Sequence, residues 1–122
     1  MKLFVDDIRE APDESWTLVR TISEAVRLIS MFSDTMTEIS LDHDISHEVR
    51  IDGQYRPFPS PETYQPVAYF IGELYKGYVH ENKPKITLHT ANPVGASNMY
   101  DILSYYEIIP EMNPMGPAYR KK

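Results

Sequence analysis

The segment that decides the fold is residues 38–44, Glu-Ile-Ser-Leu-Asp-His-Asp, in which a short β-favouring run ends in acids and a histidine. Residues 2–7, Lys-Leu-Phe-Val-Asp-Asp, repeat this arrangement near the start of the chain. A buried parallel strand is typically a short apolar run, and polar residues follow it where it leaves the sheet. The two segments therefore predict strands over residues 2–6 and 38–41 that deliver carboxylates at their ends.

Two further strands and three helices are predicted from composition and spacing. Residues 16–21 and 85–88 have the β-favouring composition of strands. Apolar residues recur at helical spacing behind Ser23 as far as residue 32 or 33, over residues 65–79, and behind Ser97. Both serines are predicted to cap their helices.

Two proline-rich segments interrupt this pattern. Residues 53–66 contain four prolines and one glycine, so we predict a loop of extended character rather than a helix or a central strand. The tail over residues 110–122 contains three prolines and is predicted to be irregular. The other elements fit a single domain over residues 1–122 with its core at about residues 2–106.

The alternation of strands and helices predicts an α/β fold with a parallel sheet and helices on its faces. In such sheets the ligand site lies outside the carboxyl ends of the strands, near the point where the strand order reverses. Three of the four predicted strands place acids, a histidine or an asparagine at that edge. The sequence therefore predicts one polar site there.

The composition excludes several classes of protein. The chain of 122 residues has no cysteine, which excludes disulfides, thiolate zinc sites and cysteine nucleophiles. A net charge of −6 without a basic stripe argues against extended nucleic-acid binding. No apolar run approaches the ~20 residues that span a bilayer, so we expect a cytoplasmic protein that is neither exported nor embedded in a membrane.

Four aspartates at the predicted strand ends indicate a divalent cation. Asp6, Asp7, Asp42 and Asp44 would lie close together, and like charges at short range disfavour joint ionisation unless a cation lies among them. Oxygen ligands of this kind suit Mg²⁺ or Mn²⁺. For either acidic pair taken alone, a solvated turn is the alternative.

Two histidines and an arginine accompany the carboxylates. His43 and His89 would serve in acid–base chemistry or as ligands of a borderline metal, and a hydrogen bond to a backbone carbonyl is the structural alternative for His89. Arg9 would either clamp a phosphate or neutralise Asp7. Residues 92–95 precede a helix whose N-terminal N–H groups would bind an anion.

Three segments resemble the signature of the cyclic-phosphate-processing receiver-like family. They are residues 3–9 (Leu-Phe-Val-Asp-Asp-Ile-Arg), 39–44 (Ile-Ser-Leu-Asp-His-Asp) and 88–95 (Leu-His-Thr-Ala-Asn-Pro-Val-Gly), and the resemblance extends from residue 2 to about residue 106. It implies a three-layer receiver-like sandwich with a mainly parallel, four-stranded sheet. It also implies a function on cyclic phosphates, such as those of nucleotides or RNA ends.

The resemblance further implies roles for particular residues. Receiver domains hold Mg²⁺ with an acid pair after the first strand and accept phosphate on an aspartate after the third. Asp6 and Asp7 match the acid pair, and Asp42 matches the phospho-acceptor. Thr90 matches the small hydroxyl residue that follows the next strand, and Asp44 would offer its carbonyl to the metal.

Two departures from ordinary receivers turn the prediction away from phosphorelay signalling. The segment between the first two strands is too short for the usual first helix. No further strand is predicted to bring the lysine that pairs with the phosphorylated aspartate of receivers. Histidines at positions 43 and 89 stand in the same region instead.

The leading hypothesis is a metal-assisted phosphoesterase that hydrolyses a small cyclic-phosphate ligand. The assigned residues are His43, His89 and Asp42 as catalytic groups, Arg9, Thr90, Asn92 and Gly95 as phosphate-binding groups, and Asp6, Asp7, Asp42 and Asp44 as metal ligands. The alternative is a non-catalytic pseudo-receiver that binds a nucleotide, another phosphate ligand or a protein partner. A phospho-acceptor at Asp42 is the least favoured reading, because the lysine is missing.

Overall fold

The structure, a computed structural model, describes residues 1–113, with side chains for residues 1–45, 52–54 and 62–113. The elements in chain order are β1 (Lys2–Val5), β2 (Trp16–Val19), α1 (Ile22–Met31), β3 (Glu38–Leu41), β4 (Asp44–Ile51), β5 (Gln54–Thr63), α2 (Gln65–Tyr75), β6 (Lys85–Leu88), α3 (Pro93–Tyr105) and β7 (Glu111–Met112). One turn of 3₁₀ helix, His80–Asn82, precedes β6.

Five parallel strands form the main sheet in the order β2-β1-β3-β6-β7. Counted along the chain within this sheet, the order is 2-1-3-4-5, that of doubly wound receiver-type domains. The α/β class and the parallel receiver-like sheet are thus confirmed. The sheet has five strands rather than four, because β7, a two-residue edge strand in the tail predicted to be irregular, pairs with β6. Residues 114–122 of that tail lie outside the described residues.

The hydrophobic core lies between one face of the sheet and the three helices. Side chains of all three helices share one buried cluster with alternate strand residues, among them Leu3, Val5, Ile39, Leu41 and Leu88. Side chains alternate between the faces of a strand. The intervening residues, including Phe4, Trp16, Ser40 and Thr87, therefore point to the opposite face. We expected helices on the faces of the sheet; the described helices share a single face.

Two helices begin earlier than their predicted caps. Thr21, not Ser23, caps α1, and its hydroxyl oxygen accepts the backbone N–H of Glu24 at 3.1 Å. Asn92, not Ser97, caps α3, because Pro93 suits the first helical position and the Asn92 side chain accepts the N–H of Gly95 at 3.0 Å. None of the described helices is long and apolar enough to cross a membrane.

The segment predicted to be a proline-rich loop is instead half of a β-hairpin. Strands β4 and β5 pair antiparallel around Asp52 and Gly53, which have φ angles of 53° and 79°. Such left-handed turns match the twist of a two-residue hairpin. Pro57 pairs with Glu48 and Pro59 with Ser46. By the alternation that starts at the turn, these are non-hydrogen-bonded pairs, in which the backbone nitrogen of β5 points away from β4. Prolines are therefore tolerated in this two-stranded ribbon.

Candidate functional site

Three strand ends bring Asp6, Asp42 and His89 side by side at the carboxyl edge of the sheet. Val5 pairs with Leu41 and Leu41 with Leu88, and each of the three polar residues follows one of these. The ladder continues through them, since the N–H of Asp42 bonds to Val5 O and that of His89 to Leu41 O, both at 2.9 Å. The strand order reverses between β1 and β3, so the site lies at the predicted switch point.

Asp6 is a fully buried carboxylate with a complete set of hydrogen-bond donors. Its Oδ1 accepts the backbone N–H groups of Ile8 and Arg9 at 2.9 and 2.8 Å. Its Oδ2 accepts Arg9 Nη1 at 3.3 Å and His89 Nε2 at 3.0 Å. Burial opposes ionisation, but the hydrogen bonds from His89 and the two backbone groups lower the pKa of Asp6 below its usual value. Asp6 is therefore anionic at neutral pH.

Asp42 has the opposite electrostatic character. Burial, and then the charge of Asp6, raise its pKa to about 7, although the N–H of His43 donates to its Oδ1 at 2.8 Å. The Arg9 guanidinium lies 3.3 Å from its Oδ2 and only partly compensates. Two neighbouring carboxylates with pKa values pushed apart are a frequent feature of functional sites. Asp42 can therefore gain or lose a proton near neutral pH.

Arg9 is the cation between these carboxylates. Its Nη1 bridges Asp6 Oδ2 and Asp42 Oδ2, whereas the sequence suggested Asp7 as the partner to be neutralised. The Arg9 side chain is buried, and its Nε has no hydrogen-bond partner among the described groups. A buried donor left without an acceptor costs ~1–3 kcal/mol, and such a group requires an explanation such as a bound ligand or water.

His43 is held on both of its ring nitrogens. Nδ1 lies 2.7 Å from Asp44 Oδ1, and Nε2 lies 3.0 Å from the side-chain amide nitrogen of Gln65. The Gln65 amide donates to Nε2, so the ring proton of His43 is on Nδ1, which donates a hydrogen bond to Asp44. A Cβ at Gly95 would lie 2.4 Å from the ring. The glycine is therefore needed to seat His43, a role that differs from the predicted contact with phosphate.

A cleft of about 130 Å³ lies above this row of residues. Its polar lining comprises Asp7, Arg9, Asp42, Asp44, Thr90 and Asn92, all of which the sequence proposed for the site. The Asn92 amide donates to both carboxylate oxygens of Asp44 at 3.2 and 3.3 Å, and the Thr90 hydroxyl oxygen accepts the backbone N–H of Asn92 at 3.1 Å. His43, His89 and Gly95 are not among the residues that line this cleft.

His89 lies beneath the cleft, on the helix-free face of the sheet. Its ring stacks on Phe4 with centroids 4.2 Å apart, and its Nδ1 lies 2.6 Å from Ser40 Oγ. Sequence reasoning missed Ser40 and Gln65 as partners of the histidines. Ser40 stands two residues before Asp42 and so faces the same side of the strand, which is a usable signal; nothing in the sequence around Gln65 indicates its contact.

Asp6, Asp42 and His89 form a group that could hold a metal ion, because one ligand atom from each lies within 4.8 Å of the others. Carboxylate and imidazole donors suit Mn²⁺ and related ions. In the structure the Arg9 guanidinium lies 3.3 Å from a carboxylate oxygen of Asp6 and of Asp42, and so already balances part of this charge. The pKa of Asp42 is nevertheless raised, by burial first and then by the charge of Asp6, and a cation would offset both effects, so the residues at this edge fit a cation.

The fold and the site together define a receiver-like α/β domain with an acidic cleft at its switch point. The chain belongs to the family of cyclic-phosphate processing receiver domains, whose family model matches residues 1–105. The resemblance drawn from the sequence is thereby confirmed. No curated protein and no solved structure matches the chain significantly.

The fifth strand corrects one of the two predicted differences from ordinary receivers, the absence of a further strand after β6. We predicted no further strand that could bring the lysine, but β7 lies beside β6. The register pairs Leu88 with Met112, and the N–H of Asn113 bonds to Leu88 O at 2.9 Å. The residue that leaves this strand next to His89 is thus Asn113. The strand is present, and it ends in an amide rather than a lysine.

Proposed function

We propose that this domain binds a small cyclic phosphate ester in the cleft at the switch point and hydrolyses it. The observation that carries the proposal is the composition of this one cleft. Hydrogen-bond donors of Arg9, Thr90 and Asn92 and the carboxylates of Asp42 and Asp44 line the same cleft of about 130 Å³. Donors for phosphate oxygens and acceptors for a proton are therefore available in the same space.

The size of the cleft suits a phosphate group rather than a whole nucleotide. Pockets that enclose drug-sized ligands are ~300–1,000 Å³, well above the volume found here. The guanidinium of Arg9, the Thr90 hydroxyl and the Asn92 amide would bind the phosphate, and the remainder of the ligand would lie outside. An acceptor in the cleft would also serve the Nε–H of Arg9, which lacks a partner among the described groups.

A divalent cation would resolve the repulsion between the phosphate and the carboxylates. We propose that Asp7, Asp42 and the Asp44 carbonyl would hold Mg²⁺ or Mn²⁺, with Asp6 behind them. Such an ion supplies charge stabilisation on phosphate oxygens and lowers the pKa of bound water. Burial is the main cause of the raised pKa of Asp42, and the neighbouring charge of Asp6 adds to it; this second contribution supports a cation at this place.

Proton transfer in the cleft would fall to Asp44 and His43. The Asp44 carboxylate lines the cleft and is oriented by the Asn92 amide. Asp44 would remove a proton from the attacking water. His43, which is hydrogen-bonded to Asp44, would then stabilise the Asp44–His43 pair that holds this proton. The acid role suggested for His89 has less support, because its Nε2 contacts Asp6 and His89 is not among the residues that line the cleft. His89 would instead keep Asp6 in place. The proton that Asp44 takes from the water would then pass to the ring oxygen that leaves when the P–O bond breaks.

The test is a screen of cyclic phosphates followed by ³¹P NMR. The panel contains 2′,3′-cyclic and 3′,5′-cyclic nucleotides, cyclic oligonucleotides and ADP-ribose cyclic phosphate, each with and without Mg²⁺ or Mn²⁺. We expect ring opening by the native protein and by Asp101→Asn, a control at an exposed position on α3, but not by Asp42→Asn. Failure of the native protein to open any of these rings would contradict the proposal.

A second function, binding without turnover, is favoured by one specific observation. Arg9 already supplies a cation between Asp6 and Asp42, and both ring nitrogens of His43 are satisfied within the protein. A domain of this kind would bind a phosphate ligand and leave it unchanged. Thermal stabilisation by a cyclic phosphate without any product in the NMR spectrum would support this alternative.

A further inference from the structure

Ser40, His89 and Asp6 form a hydrogen-bonded series that the proposed cleft chemistry does not use. Ser40 Oγ lies 2.6 Å from His89 Nδ1, and His89 Nε2 lies 3.0 Å from Asp6 Oδ2. All three residues are buried on the helix-free side of the sheet. A hydroxyl, an imidazole and a carboxylate in this sequence of contacts form the constellation that activates a serine nucleophile.

The surroundings of the histidine settle where its proton lies. Asp6 receives two backbone N–H groups and the Arg9 guanidinium, so it is an anion and can only accept from His89. His89 therefore carries its proton on Nε2, from which it donates to Asp6. The other nitrogen, Nδ1, is left with a lone pair that faces the Ser40 hydroxyl. The histidine thus has the tautomer that a general base requires, with the carboxylate behind it.

Ser40 and His89 line a second cavity, separate from the cleft. This groove of about 420 Å³ lies on the helix-free face and shares no lining residue with the cleft above. Its volume is in the range of pockets for small organic ligands. Phe4, Trp16 and Met112 line part of the groove, but most of its exposed lining is polar and includes Glu38, Lys85 and Glu111. Thr87 stands directly beside Ser40 in the strand register. The groove therefore places hydroxyl groups next to the histidine within a largely polar lining.

We propose that Ser40 is a nucleophile in this groove and that its substrates are small carboxylic esters. Ser40 Oγ attacks the ester carbon and transfers its proton to His89 Nδ1. The bond to the alcohol oxygen breaks, and the alcohol leaves with the proton from His89. Water, deprotonated by His89, then releases the acid and restores Ser40. The Thr87 hydroxyl is the neighbouring donor for the developing oxyanion.

A fluorophosphonate probe tests this proposal without any cyclic phosphate or metal. The intact protein, held in chelator, is incubated with the probe, and the modified residue is identified by mass spectrometry of its peptides. We expect one adduct, on Ser40, with loss of fluoride. Ser40→Ala should abolish it, His89→Gln should slow it by ~10² or more, and Ser30→Ala, exposed on α1, should leave it unchanged.

Peptide mapping keeps the test valid even if a variant fails to fold, because the native protein alone reveals which residue reacts. No adduct on Ser40 of the native protein would overturn the proposal, as would equal labelling in a folded His89→Gln variant. A matching measurement is the release of p-nitrophenolate from p-nitrophenyl butyrate, which should fall by ~10² or more in Ser40→Ala. Neither assay involves phosphate hydrolysis, so its failure leaves the function proposed for the cleft untouched.

Discussion

Replacing Asp42 by asparagine should make the metal-free protein more stable at high pH. In the folded chain the pKa of Asp42 is raised from 3.8 to about 7 by burial and by the charge of Asp6. The folded state therefore binds a proton more tightly than the unfolded state. By linkage, stability is highest below pH 4 with respect to this group and falls as the pH rises through about 7. Asparagine cannot ionise, so it removes this loss.

The size of the effect follows from the two pKa values. One pKa unit corresponds to 1.36 kcal/mol, so the difference between 3.8 and about 7 sets an upper limit of about 4 kcal/mol on the loss. Arg9 remains paired with Asp6 in the variant, and the N–H of His43 can still donate to the amide oxygen of the new side chain. We expect Asp42→Asn to be more stable than the native protein by ~2–4 kcal/mol at pH 8.5 and by much less at pH 4.5.

Urea unfolding at several pH values between 4.5 and 8.5, in chelator, measures this difference. The unfolding free energy of the native protein minus that of Asp42→Asn should decline from about pH 4 to pH 7 and then level off. Asp101→Asn, at an exposed position on α3, is the control and should follow the native curve. The reasoning would be refuted if the native protein and Asp42→Asn showed parallel stability curves.

Three further predictions concern the packing of His43, the cap of α3 and the binding of a cation. Gly95→Ala should cost ~1–3 kcal/mol in urea unfolding, because its Cβ would lie 2.4 Å from the His43 ring. Gly77→Ala is the control, because a Cβ at Gly77 would meet no atom within 4 Å and so would cause no clash. If both variants lost the same free energy of unfolding, the clash with His43 would not be the explanation. Asn92→Ala should lower stability by ~1 kcal/mol through loss of the α3 cap, whereas Asn98→Ala, exposed in the same helix, should change it little. Mn²⁺ should raise the melting temperature of the native protein, because an ion that binds only the folded state stabilises it; an equal rise in the asparagine variant described above would place the ion elsewhere.

The sequence predicted that these polar residues meet at one edge of the sheet, because strand ends leave a local signal. Residues 2–7 and 38–44 each show a short apolar run that stops at carboxylates, and the parallel arrangement brings such ends to one edge. The hairpin was missed because prolines argued against a strand, while the turn at Asp52 and Gly53 was the better signal. Strand β7 was missed because two residues carry no periodicity.

The partners of individual side chains were much harder to predict, because they depend on which face of a strand each residue occupies. His43 and His89 both follow a strand, but His43 turns toward Gly95 and Gln65 while His89 lies flat on Phe4. A sequence shows that these residues are near an edge. It does not show the register between β3 and β6, which decides that His89 meets Asp6.

The short connection between β1 and β2 explains how the acidic edge is held together. Residues 6–15 contain no helix, so this connection leaves the first strand with Asp6 accepting the backbone N–H groups of Ile8 and Arg9. That turn brings the Arg9 guanidinium back over Asp6 and Asp42. On the helix-free face His89 contacts Asp6, and Ser40 contacts His89. The charge of Asp6 therefore acts both on the cleft and on the groove. Burial and the charge of Asp6 together raise the pKa of Asp42 in the cleft, and the Asp6 carboxylate accepts the N–H of His89 beside the groove. A change at Asp6 should therefore affect both places, whereas a change at Ser40 should affect the groove alone.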